Sequence, residues 1–313
     1  MNKTSNIYFL GIGGIGMSAL ARYFHKKGNI VSGYDKTPSP LTAKLEEEGI
    51  LIHYEDNPEL IPDNVDLVIL TPAIPRDSLE LEFLRDKNVR IIKRADVLGE
   101  ISRHCKSGAV GGTHGKTTVT ALTTHLLNFA GKRMSAFVGG IAKNINSNVI
   151  IGDENDEVVV MEADEFDRSF LQLTPYISIV TSIDADHLDI YGDEQQLVEA
   201  FCQFADKTMD DGVVIHSEYV ELKTERKSLT YGFDDADVLA KDVRIEDSLT
   251  KFSVVTKEGL CLGDYEMQLY GRHNVMNALA AITACMRLSV NLSVIREGLA
   301  TFKGVQRRFD IRY

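Results

Sequence analysis

The sequence predicts an α/β protein of two domains, an N-terminal Rossmann-like parallel sheet followed by a second α/β domain that carries a small additional β-sheet. Three observations carry this. Short apolar runs alternate with amphipathic stretches. Two glycine-rich turns each stand between an apolar run and a helix-like segment. The 313 residues suffice for about two domains with separate cores.

In the first hundred residues "NIYFL" (6–10), "IVSGYD" (30–35), "VDLVILT" (65–71) and "VRIIK" (89–93) read as strands, while 15–28, 39–49 and 77–87 carry apolar residues at helical spacing. Such alternation implies right-handed crossovers and a parallel sheet. A second series starts at "GAVGG" (108–112), continues through a helix over 116–131, and includes buried strands at 157–164 and 176–184. After "DDGVVIH" (210–216) the strands shorten, at 227–233, 237–246 and 250–256, and a helix pair closes the chain at 274–289 and 291–304. The expected boundary lies between Glu100 and Ser107, giving domains 1–104 and 105–309.

The composition excludes several classes. Hydrophobic residues make up 44% and charged residues 26%, as in ordinary globular proteins. The net charge is −12 with no basic run, so no nucleic-acid footprint is visible and small ligands are the expected partners. Cys105, Cys202, Cys261 and Cys285 form no C-x-x-C pair, which fits thiols in a reducing cytoplasm. The uncharged run from Ile7 to Ala21 holds four glycines and falls short of a membrane span, so it reads as strand, turn and helix start.

The first turn, "GIGGIG", satisfies G-x-G-x-x-G with Gly11, Gly13 and Gly16, and Gly14 lies within it. Glycine permits a tight turn and close approach of backbone N–H groups to a diphosphate, and the helix N-terminus adds a favourable dipole. Asp35 ends the next strand, where an acid can bond a ribose or an adjoining hydroxyl. The pattern recognises a diphosphate and does not separate NAD from a UDP-linked sugar.

The second turn, "GGTHGKTT" from Gly111 to Thr118, has the P-loop arrangement for a nucleoside triphosphate: Gly115, Lys116 and Thr117 at the head of a helix. There, backbone N–H groups wrap the phosphates, the lysine neutralises charge that moves during transfer, and the threonine hydroxyl binds Mg²⁺. The strict pattern requires glycine at position 110, where Val110 stands. Glu162 closes the apolar run "EVVVM", and His187 lies just beyond the next strand in "DADHLD". Ligands collect at the carboxyl ends of parallel strands, so both are candidates to join the P-loop, although each alone reads equally as a solvated carboxylate and a capping or core histidine.

Together, "GIGGIGMSALARY", "GGTHGKTT", "MEADEFDRSFL", "DADHLDIYG", "YGRHNVMNALAA" and "GVQRRFD" resemble the Mur ligases of peptidoglycan synthesis, in the family's order and over nearly the whole chain, Gly11 to Asp310. The L-alanine-adding branch is the best match. The resemblance implies that the first turn, with Gly11, Gly13, Gly14, Gly16, Asp35 and Thr71, holds UDP-N-acetylmuramate, and that the second holds ATP through Gly112, Thr113, His114, Gly115, Lys116, Thr117 and Thr118. By the same resemblance His273, Asn274 and Asn277 contact the adenosine and Arg308 approaches the phosphates. Lys116, Glu162 and His187 are the implied catalytic residues, with Thr117, Glu162 and His187 placing Mg²⁺. The implied reaction makes an acyl phosphate on the lactyl carboxylate, which the amine of L-alanine then attacks. A bacterial cytoplasm is the implied location.

Three departures accompany the resemblance. Cys202 lies near the place where later ligases of the family carry a carbamoylated lysine, an absence that agrees with the L-alanine branch. Ser182 and Asp184 stand where Asn and Glu are common. The family has three domains, so 310–313 read as the start of a linker to a third and the chain as a truncated form with little ligase turnover. Two rival readings are a ligase that recycles a ready-made tripeptide onto the same sugar nucleotide, and a non-catalytic sensor of NAD and ATP.

Overall fold

The computed structural model describes residues 4–153, 156–165, 168–184 and 193–306. The chain divides into two compact units, Met1–Leu98 and Gly99–Tyr313.

The first unit is a five-stranded parallel sheet of β1 (Asn6–Leu10), β2 (Ile30–Tyr34), β3 (Leu51–His53), β4 (Leu67–Leu70) and β5 (Arg90–Lys93), in the order β3-β2-β1-β4-β5. β1 is buried on both faces, as its unbroken apolar run requires of a central parallel strand. Crossover helices α1 (Ile15–Lys26), α2 (Pro40–Glu47) and α3 (Leu79–Asp86) separate the strands, and α4 (Arg94–Ser102) follows β5. Local chemistry starts the helices. Ser39 and Thr42 form a reciprocal cap on α2 ahead of Pro40, and Ser78 Oγ accepts from Leu81 N at the head of α3. On one face Tyr8, Leu10, Tyr34, Val68, Leu81 and Leu84 form a core cluster.

The strand order reverses at β1, since the chain steps to β2 on one side and later to β4 on the other. Such a reversal is where open α/β sheets bind ligands, and it places the first glycine turn at the carboxyl ends of β1 and β4. Beneath the sheet a polar cluster is sealed in. Tyr8 Oη donates to Glu80 Oε2 at 2.5 Å and lies 2.7 Å from His53 Nε2, while Asn57 N donates to Glu80 Oε1 at 3.1 Å. Glu80 is fully buried, and desolvation pushes its carboxyl up to about 7 against the lowering effect of these two donors.

The second unit is one ten-stranded mixed sheet. In chain order its strands are β6 (Lys106–Gly111), β7 (Met134–Ala142), β8 (Ser147–Ile150), β9 (Val158–Glu162), β10 (Ile177–Val180), β11 (Val213–Ser217), β12 (Ser228–Gly232), β13 (Val238–Glu246), β14 (Leu249–Thr256) and β15 (Cys261–Met267). Across the sheet the order is β15-β14-β13-β12-β11-β10-β6-β9-β7-β8. The strands from β13 to β7 pair in parallel, and antiparallel strands finish both edges. The additional β-segment expected from the short strands is the β13-β14-β15 meander, hydrogen-bonded onto the main sheet through β12.

Helices α5 (Lys116–Phe129), α7 (Arg272–Arg287) and α8 (Leu292–Ala300) pack over this sheet, and α6 (Glu194–Asp206) follows the segment that contains His187. Val119, Leu122 and Leu126 of α5 meet Val275, Leu279 and Ile282 of α7 in a cluster with Val110, Val160 and Ile179 of the strands. Each such side chain contributes roughly 1.5–3 kcal/mol by leaving water. This packing fixes the head of α5 against the carboxyl ends of β6, β9 and β10.

Candidate functional site

In the first unit the glycine turn leaves β1 with Gly11 at φ +84°, a left-handed conformation that L side chains rarely adopt. Gly11 N and Ile12 N donate to Tyr34 O at 2.8 and 3.0 Å, which ties the turn to the end of β2. Gly14 is the N-cap of α1, with no side chain capping the helix and no acid in its first turn.

Each fingerprint glycine makes room for a side chain from a neighbouring strand end. A Cβ on Gly11 would lie 2.4 Å from Thr71 Cγ2, one on Gly13 2.8 Å from Asp35 Oδ2, and one on Gly16 2.3 Å from Arg94 Nη1. Thr71 and Asp35 are thus brought to the turn with Gly11, Gly13, Gly14 and Gly16. Asp35 Oδ2 accepts from Gly13 N at 2.7 Å and Oδ1 from Thr37 N at 3.3 Å, so this carboxylate shapes the turn itself. Arg94, at the head of α4, carries no motif in the sequence and is found only by its place beside Gly16.

In the second unit β6 delivers the P-loop. Val110 is fully buried in that strand, paired with Glu162 of β9 and Ile179 of β10, so the loop proper starts at Gly112, whose φ is +134°. Position 110 therefore needs no glycine. Gly115, at φ +84°, turns the chain into α5. The loop is held from β10 and the residues after it. Thr113 N donates to Ser182 O at 3.0 Å, His114 N to Ser182 Oγ at 3.0 Å, and Thr181 Oγ1 to His114 O. Thr113 Oγ1 lies 2.8 Å from Ser182 Oγ and 3.0 Å from Asp184 Oδ2, and His114 Nε2 is 3.8 Å from the same carboxylate.

Lys116 Nζ donates to Gly112 O at 2.6 Å and to Glu165 Oε1 at 2.7 Å; Glu165 is almost fully buried. Thr117 Oγ1 donates to Glu162 Oε1 at 3.0 Å, and Gly139 N of β7 donates to Glu162 Oε2 at 2.9 Å. Burial pushes the Glu162 carboxyl up, opposed by those two bonds and by the charge of Lys116. A Cβ on Gly139 would lie 2.3 Å from Glu162 Oε2, so only glycine lets β7 come this close. Thr118 follows half-buried on the first turn of α5.

From α7, Asn277 reaches the loop: its Oδ1 lies 2.7 Å from where a Gly115 Cβ would be. Asn277 Nδ2 donates to Asn274 Oδ1 at 3.3 Å, and Asn274 Nδ2 to Tyr270 O at 2.7 Å. The N-cap of α7 is Gly271, so Asn274 and Asn277 lie inside the helix, and His273 is exposed beside Gly271. His187 and Arg308 lie outside the described residues. Sequence reasoning missed Arg94, Glu165, Gly139 and Thr181 as members of these sites. For Glu165 the one signal was its place in the acidic run just after β9.

The arrangement in the second unit is a phosphate-binding loop with a lysine, a hydroxyl and a buried carboxylate at one helix head. That is the equipment for holding and polarising a nucleoside triphosphate. Among the described residues no group of three or more His, Cys, Asp and Glu side chains forms a metal cage, and no helix is long and apolar enough to cross a membrane.

Comparison with known proteins places both units. Residues 6–106 match the model for the Mur ligase family catalytic domain, and residues 110–285 match the Mur ligase middle domain. The chain is 42% identical, over its whole length, to the UDP-N-acetylmuramate–L-alanine ligase of Christiangramia forsetii, and 46% identical over 99% of its length to that of Flavobacterium johnsoniae. It spans 69% of the length of each. Among solved structures, the UDP-N-acetylmuramate–alanine ligase of Thermotoga maritima superposes with a TM-score of 0.86 at 32% identity, covering 98% of this chain and 71% of that one. The UDP-N-acetylmuramate:L-alanyl-γ-D-glutamyl-meso-diaminopimelate ligase of Neisseria meningitides gives 0.87 at 25% identity, covering 97% of this chain and 100% of that one. With both units matched by family models and its full length aligned to close relatives, this chain belongs to the Mur ligase family.

Proposed function

We propose that this chain serves the ATP-dependent ligation of L-alanine to the lactyl carboxylate of UDP-N-acetylmuramate, in the peptidoglycan synthesis of a bacterial cytoplasm. The sugar nucleotide is assigned to residues 1–104 and ATP to 105–309. The observation that carries the reading is the P-loop head, where Lys116, Thr117 and half-buried Glu162 stand together in a chain 42% identical throughout to an L-alanine ligase.

The chemistry explains the residue types. A carboxylate is a poor acylating agent at neutral pH. Its oxygen attacks the γ-phosphorus of ATP, the bond to the bridging oxygen breaks, and ADP leaves with that electron pair. The resulting acyl phosphate is attacked by the amine of L-alanine, a tetrahedral intermediate collapses, and phosphate departs as the amide forms.

Two anions must meet in the first step, which demands fixed positive charge and aligned N–H donors. The Lys116 ammonium and the amides of Gly115, Lys116 and Thr117 at the head of α5 supply these. The Thr117 hydroxyl and Glu162 carboxylate, 3.0 Å apart, form a set of hard oxygen donors that fits Mg²⁺, which takes few protein ligands and keeps waters. When bound, Mg²⁺ supplies charge neutralisation on the phosphate oxygens. His187 is assigned to the same metal site, His273, Asn274 and Asn277 to the adenosine, and Arg308 to the phosphates, on family resemblance.

The test is product identity. With ATP, Mg²⁺ and UDP-N-acetylmuramate present, mass spectrometry on the full-length protein is expected to find the L-alanyl product in preference to the tripeptide product when both acceptors compete. Preference for the tripeptide would move the chain to the recycling branch.

A further inference from the structure

The stretch that follows α8 is fastened to the end of β7. Gly304, at φ +85°, turns the chain, and Val305 forms an antiparallel bridge with Ala142. Lys143 N donates to Gly304 O and Gln306 N to Ile141 O, both at 2.9 Å. Asn144 adds two more ties, its Nδ2 donating to Thr301 O at 2.8 Å and its Oδ1 accepting from Lys303 N at 2.7 Å. The pairing of β7 with β8 is irregular between Phe137 and Ala142, and that interval holds Gly139 and Gly140.

Gly139 makes room for Glu162. Gly140 makes room for two side chains from segments far apart in the sequence: a Cβ there would lie 3.0 Å from Val305 Cγ1 and 3.1 Å from Thr117 Cγ2. Gly140 is not among the positive-φ glycines, so its backbone does not call for glycine, and the space taken by the two methyls does. Val305 and Thr117 are each only 3% exposed, so neither is free to swing into water. Thr117 is thereby held on both sides, its methyl toward Gly140 and its hydroxyl donating to Glu162 Oε1 at 3.0 Å. A helical threonine ordinarily divides between two χ1 rotamers, because its hydroxyl also reaches carbonyls of the preceding turn. Contact on the methyl selects the rotamer that faces Glu162.

We infer that Val305 is a positioning residue for the P-loop threonine: it backs the Thr117 methyl across Gly140 so that the hydroxyl faces Glu162, and Gly140 is glycine to admit that contact. This rests on reading Thr117 and Glu162 as the Mg²⁺ site of bound ATP. It also makes the chain leaving α8 part of the support of the nucleotide site.

The experiment is calorimetric titration of the whole chain with ATP, with and without Mg²⁺, for the wild type, Val305→Ala, Gly140→Ala, Thr117→Ser and the two double variants that combine Thr117→Ser with either of the others. Releasing one held rotamer into two or three staggered wells predicts that the gain in ATP affinity conferred by Mg²⁺ falls about two- to threefold in Val305→Ala, in Gly140→Ala and in Thr117→Ser. Affinity without Mg²⁺ is expected to be unchanged in Val305→Ala and Gly140→Ala. Serine keeps the hydroxyl and drops the methyl, so in the Thr117→Ser background neither further substitution should lower the gain again. A Mg²⁺ gain that survives Val305→Ala and Gly140→Ala, a loss that recurs in full in the serine background, or an equal loss without Mg²⁺ overturns the inference and leaves the Mg²⁺ reading standing. A wild type whose ATP affinity Mg²⁺ does not raise overturns that reading and the inference with it.

Discussion

Lys116 Nζ lies 2.7 Å from Glu165 Oε1, so the lysine of the P-loop is held by a carboxylate supplied from just after β9. The side chains of this pair are 16% and 2% exposed, which leaves little solvent to weaken it. A phosphate arriving at the loop competes with Glu165 for the same ammonium and meets a second negative charge. Glu165→Gln is therefore expected to bind ATP about tenfold more tightly in a direct titration, near 1.4 kcal/mol. Unchanged or weaker binding would contradict the competition.

The second prediction concerns the approach of β7 to Glu162. Gly139→Ala places a methyl where the carboxylate now sits, and Glu162→Gln removes its charge without changing its size. Both variants should retain ATP binding in the absence of Mg²⁺ and lose at least about tenfold of the gain that Mg²⁺ confers on the wild type. If Mg²⁺ strengthens ATP binding equally in all three proteins, Glu162 is not its ligand.

Glu80 provides a pH dependence that is independent of either cradle. Its folded-state pKa of about 7 lies above the ordinary 4.5, so the protonated form is the stabilising one. That contribution is fully present below the unfolded value, and is lost as pH rises through the folded one, on the order of 3 kcal/mol across the window. Urea unfolding at about pH 5 and about pH 8 should show a steeper loss of stability in the wild type than in Glu80→Gln. Equal slopes would mean that the Tyr8 and Asn57 bonds hold the carboxylate near its ordinary value.

Much of the site was legible because its residues are local in sequence. The strand, glycine turn and helix of each cradle lie within about twenty residues, and the φ +84° at both Gly11 and Gly115 is what those glycines signal. Glu162 was legible as the acid that ends an apolar run. The partners that hold the loops were not, because contacts such as Thr113 with Ser182 and Gly139 with Glu162 join strands far apart in the chain. Several elements also escaped notice. β3 has three residues, too few for a period, and β7 contains the pair Gly139–Gly140, which reads as a loop until the Glu162 carboxylate is seen against it. The head of α4 follows β5 directly, so Arg94, one residue past the expected strand over 89–93, carried no signal of its own.

The most direct test of the central claim is calorimetric titration of the chain with UDP-N-acetylmuramate, with NAD as the control ligand. The account predicts binding of the sugar nucleotide, weakened by Gly13→Asp, and no heat from NAD. Binding of NAD alone would contradict it, whatever the P-loop does with ATP.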